Sequence, residues 1–340
     1  MNVLSRRMFI RWGGLSLPLS FFPGQLNQLL NYSRMQDQTD FDVIIIGGSY
    51  SGLAAGMSLG RALRSVLIID SGEPCNRQTP HSHNFLTQDG STPGDISAIA
   101  RKQVEAYKTI QFVSDEVIQG SKSEHGYTVR TAGGRSFHAK KLIFATGIKD
   151  IMPDISGFSE CWGISVLHCP YCHGYEVRKK ATGILGNGDG GFEFATLLSN
   201  WTDNLTVFTN GKSTLTEDQS VLLSRHNIAI VETEISALEQ VRGRIQHIAF
   251  KDGTTSYIEA LYARVAFEQH CLIPKMLGCE MTDDGFIKID SLQKTSVAGV
   301  FASGDNTSRM RTVANAVAMG TTAGMATNKE LIFEYFTKNR

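Results

Sequence analysis

The sequence predicts an α/β protein carrying two separate strand–glycine turn–helix units. Three observations carry that expectation. A β-branched run enters Gly47-Gly48-Ser49-Tyr50-Ser51-Gly52, a second apolar run enters Gly186-Asn187-Gly188-Asp189-Gly190-Gly191, and Cys169-Pro170-Tyr171-Cys172 lies between them. A dithiol placed between two phosphate-binding turns points to electrons moving between a bound nucleotide cofactor and a disulfide.

Composition narrows the class. A chain of 340 residues has room for roughly two domains with cores of their own. Apolar residues at 41% and charged residues at 19% describe a globular chain, neither disordered nor membrane-spanning. The formal charge of zero leaves no electrostatic footprint for nucleic acid. Six cysteines are too sparse for a disulfide scaffold, and Cys75, Cys161, Cys271 and Cys279 have no motif spacing. These four are expected to be buried, inert thiols.

The N-terminal segment stands apart from the rest. The first 34 residues carry Arg6, Arg7, Arg11 and Arg34 and no acid. Ser5-Arg6-Arg7-Met8-Phe9-Ile10-Arg11 resembles the twin-arginine export signal of bacteria, and Trp12 to Phe22 follows as a short apolar stretch. That reading places the mature protein in the periplasm. The competing one starts translation at Met35 and keeps the protein in the cytoplasm. On either reading residues 1–37 lie outside the folded unit.

The first nucleotide unit starts at Phe41-Asp42-Val43-Ile44-Ile45-Ile46, a run suited to a fully buried parallel strand. Gly47 allows the tight turn, Gly52 allows a close helix approach, and Ser49 keeps a small side chain where the middle glycine usually sits. Leu53 to Leu59 is small and apolar, as a helix packed hard on a sheet must be. Ser65-Val66-Leu67-Ile68-Ile69-Asp70 is the next strand, and its terminal Asp70 is placed to accept hydrogen bonds from an adenosine ribose.

The second unit keeps all three expected glycines, Gly186, Gly188 and Gly191, and continues through Phe192 to Leu198 as a helix. Leu205-Thr206-Val207-Phe208-Thr209 is its next strand. Where an acid would hold the ribose of NADH, or an arginine the phosphate of NADPH, the chain has Asn210-Gly211-Lys212-Ser213. Two such units argue for two dinucleotides, while the choice among NADPH, NADH and neither stays open at these residues.

Between the loops, Pro170 suits the first turn of a helix, and cysteines three apart share a helix face. The helix N-terminus favours thiolate at Cys169, and His173 is a candidate acid or base for the exchange. Zinc ligation is the competing reading of Cys-x-x-Cys. It requires two further ligands at comparable spacing, and Cys161, Cys271 and Cys279 do not supply them, so no metal is expected.

The order of glycine loop, Cys-x-x-Cys, second glycine loop and late Gly304-Asp305 resembles the low-molecular-weight thioredoxin reductases and their relatives among the pyridine nucleotide-disulfide oxidoreductases. The likeness covers about residues 40–332. It includes Phe144-Ala145-Thr146-Gly147, Gly299 to Asp305 and Arg311-Thr312-Val313. It implies two Rossmann-like three-layer domains, the second inserted in the first. Residues 38–150 and 280–332 would bind FAD, and residues 151–279 would bind NAD(P) and carry the cysteines. Asp305 would contact the ribityl-phosphate part of FAD, and Arg311, Thr312 and Val313 would stand against the flavin ring. Cys172 would be the flavin-proximal sulfur and Cys169 the one that exchanges with a protein or small disulfide. A homodimer is also implied.

Two departures qualify the likeness. His173 stands where thioredoxin reductases usually have an acid, and Asn210-Gly211 where they carry bases for NADPH. Cys-Pro-Tyr-Cys-His-Gly looks more like the branch that includes gliotoxin- and holomycin-type dithiol oxidases. That alternative runs electrons from a substrate dithiol through FAD to oxygen. A third reading, a redox sensor without flavin, runs against flavin motifs at both ends of the chain.

Overall fold

The computed structural model describes residues 39–338, and the twin-arginine-like stretch and Met35 lie outside them. The first strand, β1 (Asp40–Ile46), is buried on both faces. Val43 and Ile45 join one core with Leu53, Leu59 and Ala323, while Ile44 and Ile46 join another with Phe137, Leu142 and Phe144. That two-sided burial is why the run is continuously apolar rather than alternating.

Helix α1 (Tyr50–Arg61), strand β2 (Val66–Asp70), helix α2 (Pro93–Glu105) and strand β3 (Ile110–Ser114) follow. Strands β4 (Val117–Ser123), β5 (Gly126–Thr131) and β6 (Ser136–Phe144) form an antiparallel meander. β6 then lies parallel to β1, so the order runs β3-β2-β1-β6-β5-β4.

The chain leaves this sheet along β7 (Ile148–Ile151), a short helix α3 (Phe158–Cys161), β8 (Val166–Leu167) and the one-turn helix α4 (Pro170–His173). Strand β9 (Thr182–Leu185), helix α5 (Gly188–Leu198), strand β10 (Leu205–Phe208), helix α6 (Glu217–Arg225) and strand β11 (Ala229–Val231) build the second glycine-loop unit. β12 (Ile235–Val241), β13 (Arg244–Phe250) and β14 (Thr255–Ser256) form a three-stranded antiparallel sheet. β15 (Ala260–Ala263) completes a parallel sheet of order β11-β10-β9-β15-β8.

The return runs along β16 (Ala266–Gln269), which pairs antiparallel with β7. The outgoing and incoming segments thus form one two-stranded ribbon. After helix α7 (Ile273–Met276), β17 (Val300–Ala302) adds parallel to β6, bringing the chain back to the first sheet.

The long helix α8 (Val313–Lys338) closes the layer over α1. A Cβ at Gly320 would lie 2.0 Å from the Ser51 carbonyl oxygen and one at Gly324 2.6 Å from that of Ala55, so the two helices touch backbone to backbone. The buried Lys141 on β6 pairs with Glu330, at 2.5 Å, and Glu334 of α8, anchoring the far end of that helix. Among the described residues no helix is long and apolar enough to cross a membrane.

Candidate active site

A cavity of about 570 Å³ opens where β1 and β6 end and α1 and α8 begin. Gly47 (φ +102°) makes the turn out of β1, and a Cβ there would stand 2.2 Å from the Ala145 carbonyl oxygen. Ser49 is the N-cap of α1, with extended backbone and no capping hydrogen bond from its side chain. The first amides of that helix therefore lack a side-chain acceptor and suit an anion. The Gly48 N–H donates to Asp70 Oδ1 at 2.9 Å, which fixes the carboxylate at the cavity edge. Thr146, Gly147, Gly304, Asp305, Arg311, Thr312 and Val313 also line this cavity. Its volume is in the ordinary range for a bound cofactor.

The far wall holds a buried polar network. Arg311 donates to Asp150 Oδ1 and Oδ2 at 2.7 and 2.9 Å, and Trp162 Nε1 donates to Asp150 Oδ2 at 3.2 Å. The Arg311 Nε lies 3.6 Å from Asp305 Oδ2, too far for a hydrogen bond. Burial holds the Asp305 carboxyl above its usual range. Asn306 is fully buried and donates to the Phe144 carbonyl at 2.9 Å and to Thr146 Oγ1 at 3.3 Å, tying β6 to the segment after β17.

Cys75 differs from expectation. Cys161 and Cys279 are buried and Cys271 is partly so, but Cys75 is exposed onto the cavity, with Sγ 3.8 Å from Asp305 Oδ2. The loop after β2 wraps the cavity instead of entering the core, which leaves its thiol on the inner wall. Removal from bulk water, together with the Asp305 charge, pushes this thiol up to about 12, so it is a hydrogen-bond donor and a poor nucleophile at neutral pH.

Cys169 and Cys172 are bonded to each other, with Cα atoms 5.3 Å apart. Cys169 is the N-cap of α4, and its sulfur accepts the Cys172 N–H at 3.2 Å, as Pro170 at the first helical position allows. Gly174 packs against the Pro170 carbonyl and Trp201, which leaves Tyr171 edge-on to Trp201. His168, just before the pair, stacks on Trp162 and also lines the large cavity.

Burial lowers both His168 and His173 to about 4, reinforced by the Arg311 charge at His168 and by His83 at His173. Both rings are neutral at pH 7. Each takes up a proton at a lower pH in the fold than in the unfolded chain, so its contribution to stability is complete above about pH 6.5 and is lost as pH falls towards 4. Each histidine contributes at most about 1.4 kcal/mol per pH unit in that window. Asp305 works in the opposite sense. Urea unfolding at several pH values, with His168→Gln beside the parent chain, checks this: the variant is expected to lose less stability on acidification.

The second glycine loop is built differently. Asn187 caps α5 by accepting the Gly188 N–H at 2.8 Å, and the same oxygen accepts Thr214 N–H at 2.8 Å and Thr214 Oγ1 at 3.1 Å. Asn187 Nδ2 donates to the Lys212 carbonyl at 2.9 Å. Gly186 and Gly191 lie against each other, and a Cβ on Gly191 would stand 2.8 Å from Gly186. The loop after β10 is thus laced to the glycine turn, and the Lys212 side chain is exposed.

Asp150, Trp162 and Asn306 carry no local signal in the sequence, whereas His168 adjoins the cysteine motif, where a neighbouring histidine offers charge or a proton path.

The profile of the pyridine nucleotide-disulphide oxidoreductases matches residues 41–320. Thioredoxin reductase tcpT of Claviceps purpurea is 30% identical over 305 residues, which is 86% of this chain and 94% of the relative. An oxidoreductase of Agrobacterium tumefaciens superposes with a TM-score of 0.81 at 37% identity, over 86% of this chain and 99% of that one. The crystal structure of HlmI superposes with a TM-score of 0.83 at 32% identity, over 88% and 95%. Glycine turns, bonded cysteines and these likenesses agree: the chain belongs to the pyridine nucleotide-disulphide oxidoreductase family and is a thiol–disulfide oxidoreductase with FAD and NAD(P)H as its cofactors.

Proposed function

We propose that the protein is a disulfide reductase, in which NAD(P)H supplies electrons that leave through Cys172 and then Cys169 to a protein or small-molecule disulfide. The observation that carries this reading is the bonded Cys169–Cys172 pair, whose preceding residue, His168, also lines the large cavity. FAD, when bound, supplies the two-electron step between nicotinamide and disulfide. Residues 38–150 and 280–332 would form its domain. The helix amides at Ser49 and the turn at Gly47 and Gly52 receive the pyrophosphate, and Asp70 the adenosine ribose. Thr146, Gly147, Gly304 and Asp305 line the middle of the cofactor, and Arg311, held by Asp150, orients the start of α8 at Thr312 and Val313. Residues 151–279 carry the nicotinamide loop at Gly186, Gly188 and Gly191. His173 serves as acid or base beside the pair. A homodimer, a thioredoxin-like partner and export by a twin-arginine signal complete the proposal.

Anaerobic titration of the yellow holoprotein tests it. Stoichiometric NADPH or NADH is expected to bleach the flavin, and an added disulfide to restore the colour. Bleaching by dithiols alone would replace the reading with a dithiol oxidase.

A further inference from the structure

The two glycine turns treat their helix N-termini in opposite ways. At the first, the Ser49 side chain makes no cap, and the leading amides of α1 have no side-chain acceptor. At the second, the chain supplies its own acceptor. Asn187 Oδ1 takes the Gly188 N–H at 2.8 Å, the Thr214 N–H at 2.8 Å and the Thr214 hydroxyl at 3.1 Å, while Asn187 Nδ2 donates to the Lys212 carbonyl at 2.9 Å. In a strand–glycine turn–helix unit the second glycine is bare so that the backbone can approach a pyrophosphate. Here a Cβ on that residue, Gly188, would stand 2.9 Å from Thr214 Oγ1. The Thr214 hydroxyl fills the space that the missing side chain leaves open. Asp189, in the first turn of α5, adds a carboxylate at the same helix end, held by Gln219 Nε2 at 2.8 Å. An acid there offsets the helix dipole and opposes an incoming anion.

The segment that covers Gly188 is short and anchored at both ends. Residues 210–215 leave β10 through Asn210 (φ +51°) and Gly211 (φ +123°) and re-enter regular structure at Thr216, whose capping box with Gln219 starts α6. The Gly211 N–H donates to the Glu232 carbonyl at 2.8 Å and the Ser213 N–H to Glu232 Oε1 at 3.1 Å. Between those anchors the bonds to Asn187 tie the segment to the glycine turn.

We propose that residues 210–215 form a strap that closes the second dinucleotide site, with Asn187 as its latch, so that NAD(P)H binds only after the bonds from Asn187 to Thr214 and Lys212 open. The inference rests on the disulfide-reductase reading and gives Asn187 and Thr214 a role in setting nicotinamide affinity. Affinity falls with the fraction of molecules whose strap is open: a strap open about a tenth of the time raises the apparent Kd about tenfold. Gly211, where a Cβ would meet nothing within 4 Å, leaves the strap room to move at its β10 end.

The test is isothermal titration calorimetry on the full, oxidised, FAD-bound chain with NADP⁺ and NAD⁺, which bind without reducing the flavin. Asn187→Ala removes the latch and the helix cap together. It is expected to lower the Kd for the dinucleotide about tenfold. The same variant is expected to lower the thermal midpoint of the protein without dinucleotide, because a helix cap is lost. Tighter binding by a less stable chain is a result that a merely structural Asn187 would not give. Thr214→Ala clears the space over Gly188 and leaves the cap on α5, and is expected to tighten binding roughly threefold. Equal Kd values in the parent and both variants would overturn the proposal by making the strap indifferent to the dinucleotide. Weaker binding by Asn187→Ala would overturn it by making Asn187 a ligand contact. If Asn187→Ala does not fold, Thr214→Ala decides. Failure of the underlying reading looks different: neither the parent nor the variants bind either dinucleotide while dithiols still bleach the flavin, and the strap falls with it.

Discussion

Cys172→Ser is expected to retain bound FAD and to lose reduction of any disulfide substrate, to below about 0.1% of the parent rate. A hydroxyl cannot form the mixed disulfide, so no route remains from the cofactor to the substrate through α4. Retention of flavin follows from geometry, since neither cysteine lines the 570 Å³ cavity and the turn at Gly47 is remote from α4 in sequence. The substitution is nearly isosteric and leaves Cys169 at the helix N-cap, so folding should be unaffected. Absorbance near 450 nm per protein, thermal midpoint and turnover with a small disulfide are the three measurements. Loss of flavin in this variant would contradict the proposed separation of the two sites, and retained turnover would remove the cysteines from the electron path. Cys169→Ser should abolish turnover equally while keeping a thiol at Cys172.

The first strand–turn–helix unit was legible because its constraints are local. A strand buried on both faces must be continuously apolar, as Val43 to Ile46 are, and a turn with positive φ against a carbonyl needs glycine. The cysteine spacing carried its own chemistry for the same reason. Asp150, Trp162 and Arg311 were not legible as a unit, because they meet only after β7 and β16 pair across more than a hundred residues of intervening chain. An aspartate two residues after a strand start reads as an ordinary surface acid until its partners are known. The expectation for Cys75 failed on a related point. Composition assigns a lone cysteine to the core, but the loop after β2 encloses a cavity, and a side chain on its inner wall is shielded from bulk solvent without being packed. The second glycine loop shows the limit in the other direction. Its three glycines are plain in the sequence, while the bonds from Asn187 to Thr214 and Lys212 depend on where the loop after β10 lies.

Gly52→Ala should be a severely damaging single-methyl change. The added Cβ would stand 1.9 Å from the Gly47 carbonyl oxygen and 3.0 Å from its carbon, both backbone atoms of the turn that forms the proposed pyrophosphate site. Relief requires α1 to move away from β1. That movement is blocked from behind, because α8 lies on α1 with Gly320 against the Ser51 carbonyl and Gly324 against that of Ala55. Nor can α8 retreat freely, since Lys141 and Lys294 hold its distal end through Glu330. Overpacking in a closed core ordinarily costs about 1–3 kcal/mol, and contact with backbone on both sides places this case at or above the top of that range. The expected result is a chain that expresses poorly or is isolated without flavin, with the thermal midpoint of any soluble fraction well below that of the parent protein. Gly72→Ala is the control without a close approach: unlike the helical Gly52, Gly72 has positive φ (+84°), but a Cβ there meets nothing within 4 Å. It should cost only the backbone strain of a left-handed residue, about 1 kcal/mol, and keep its flavin. If the two variants proved equally stable and equally yellow, the close approach of α1 to the turn would not be what shapes the site.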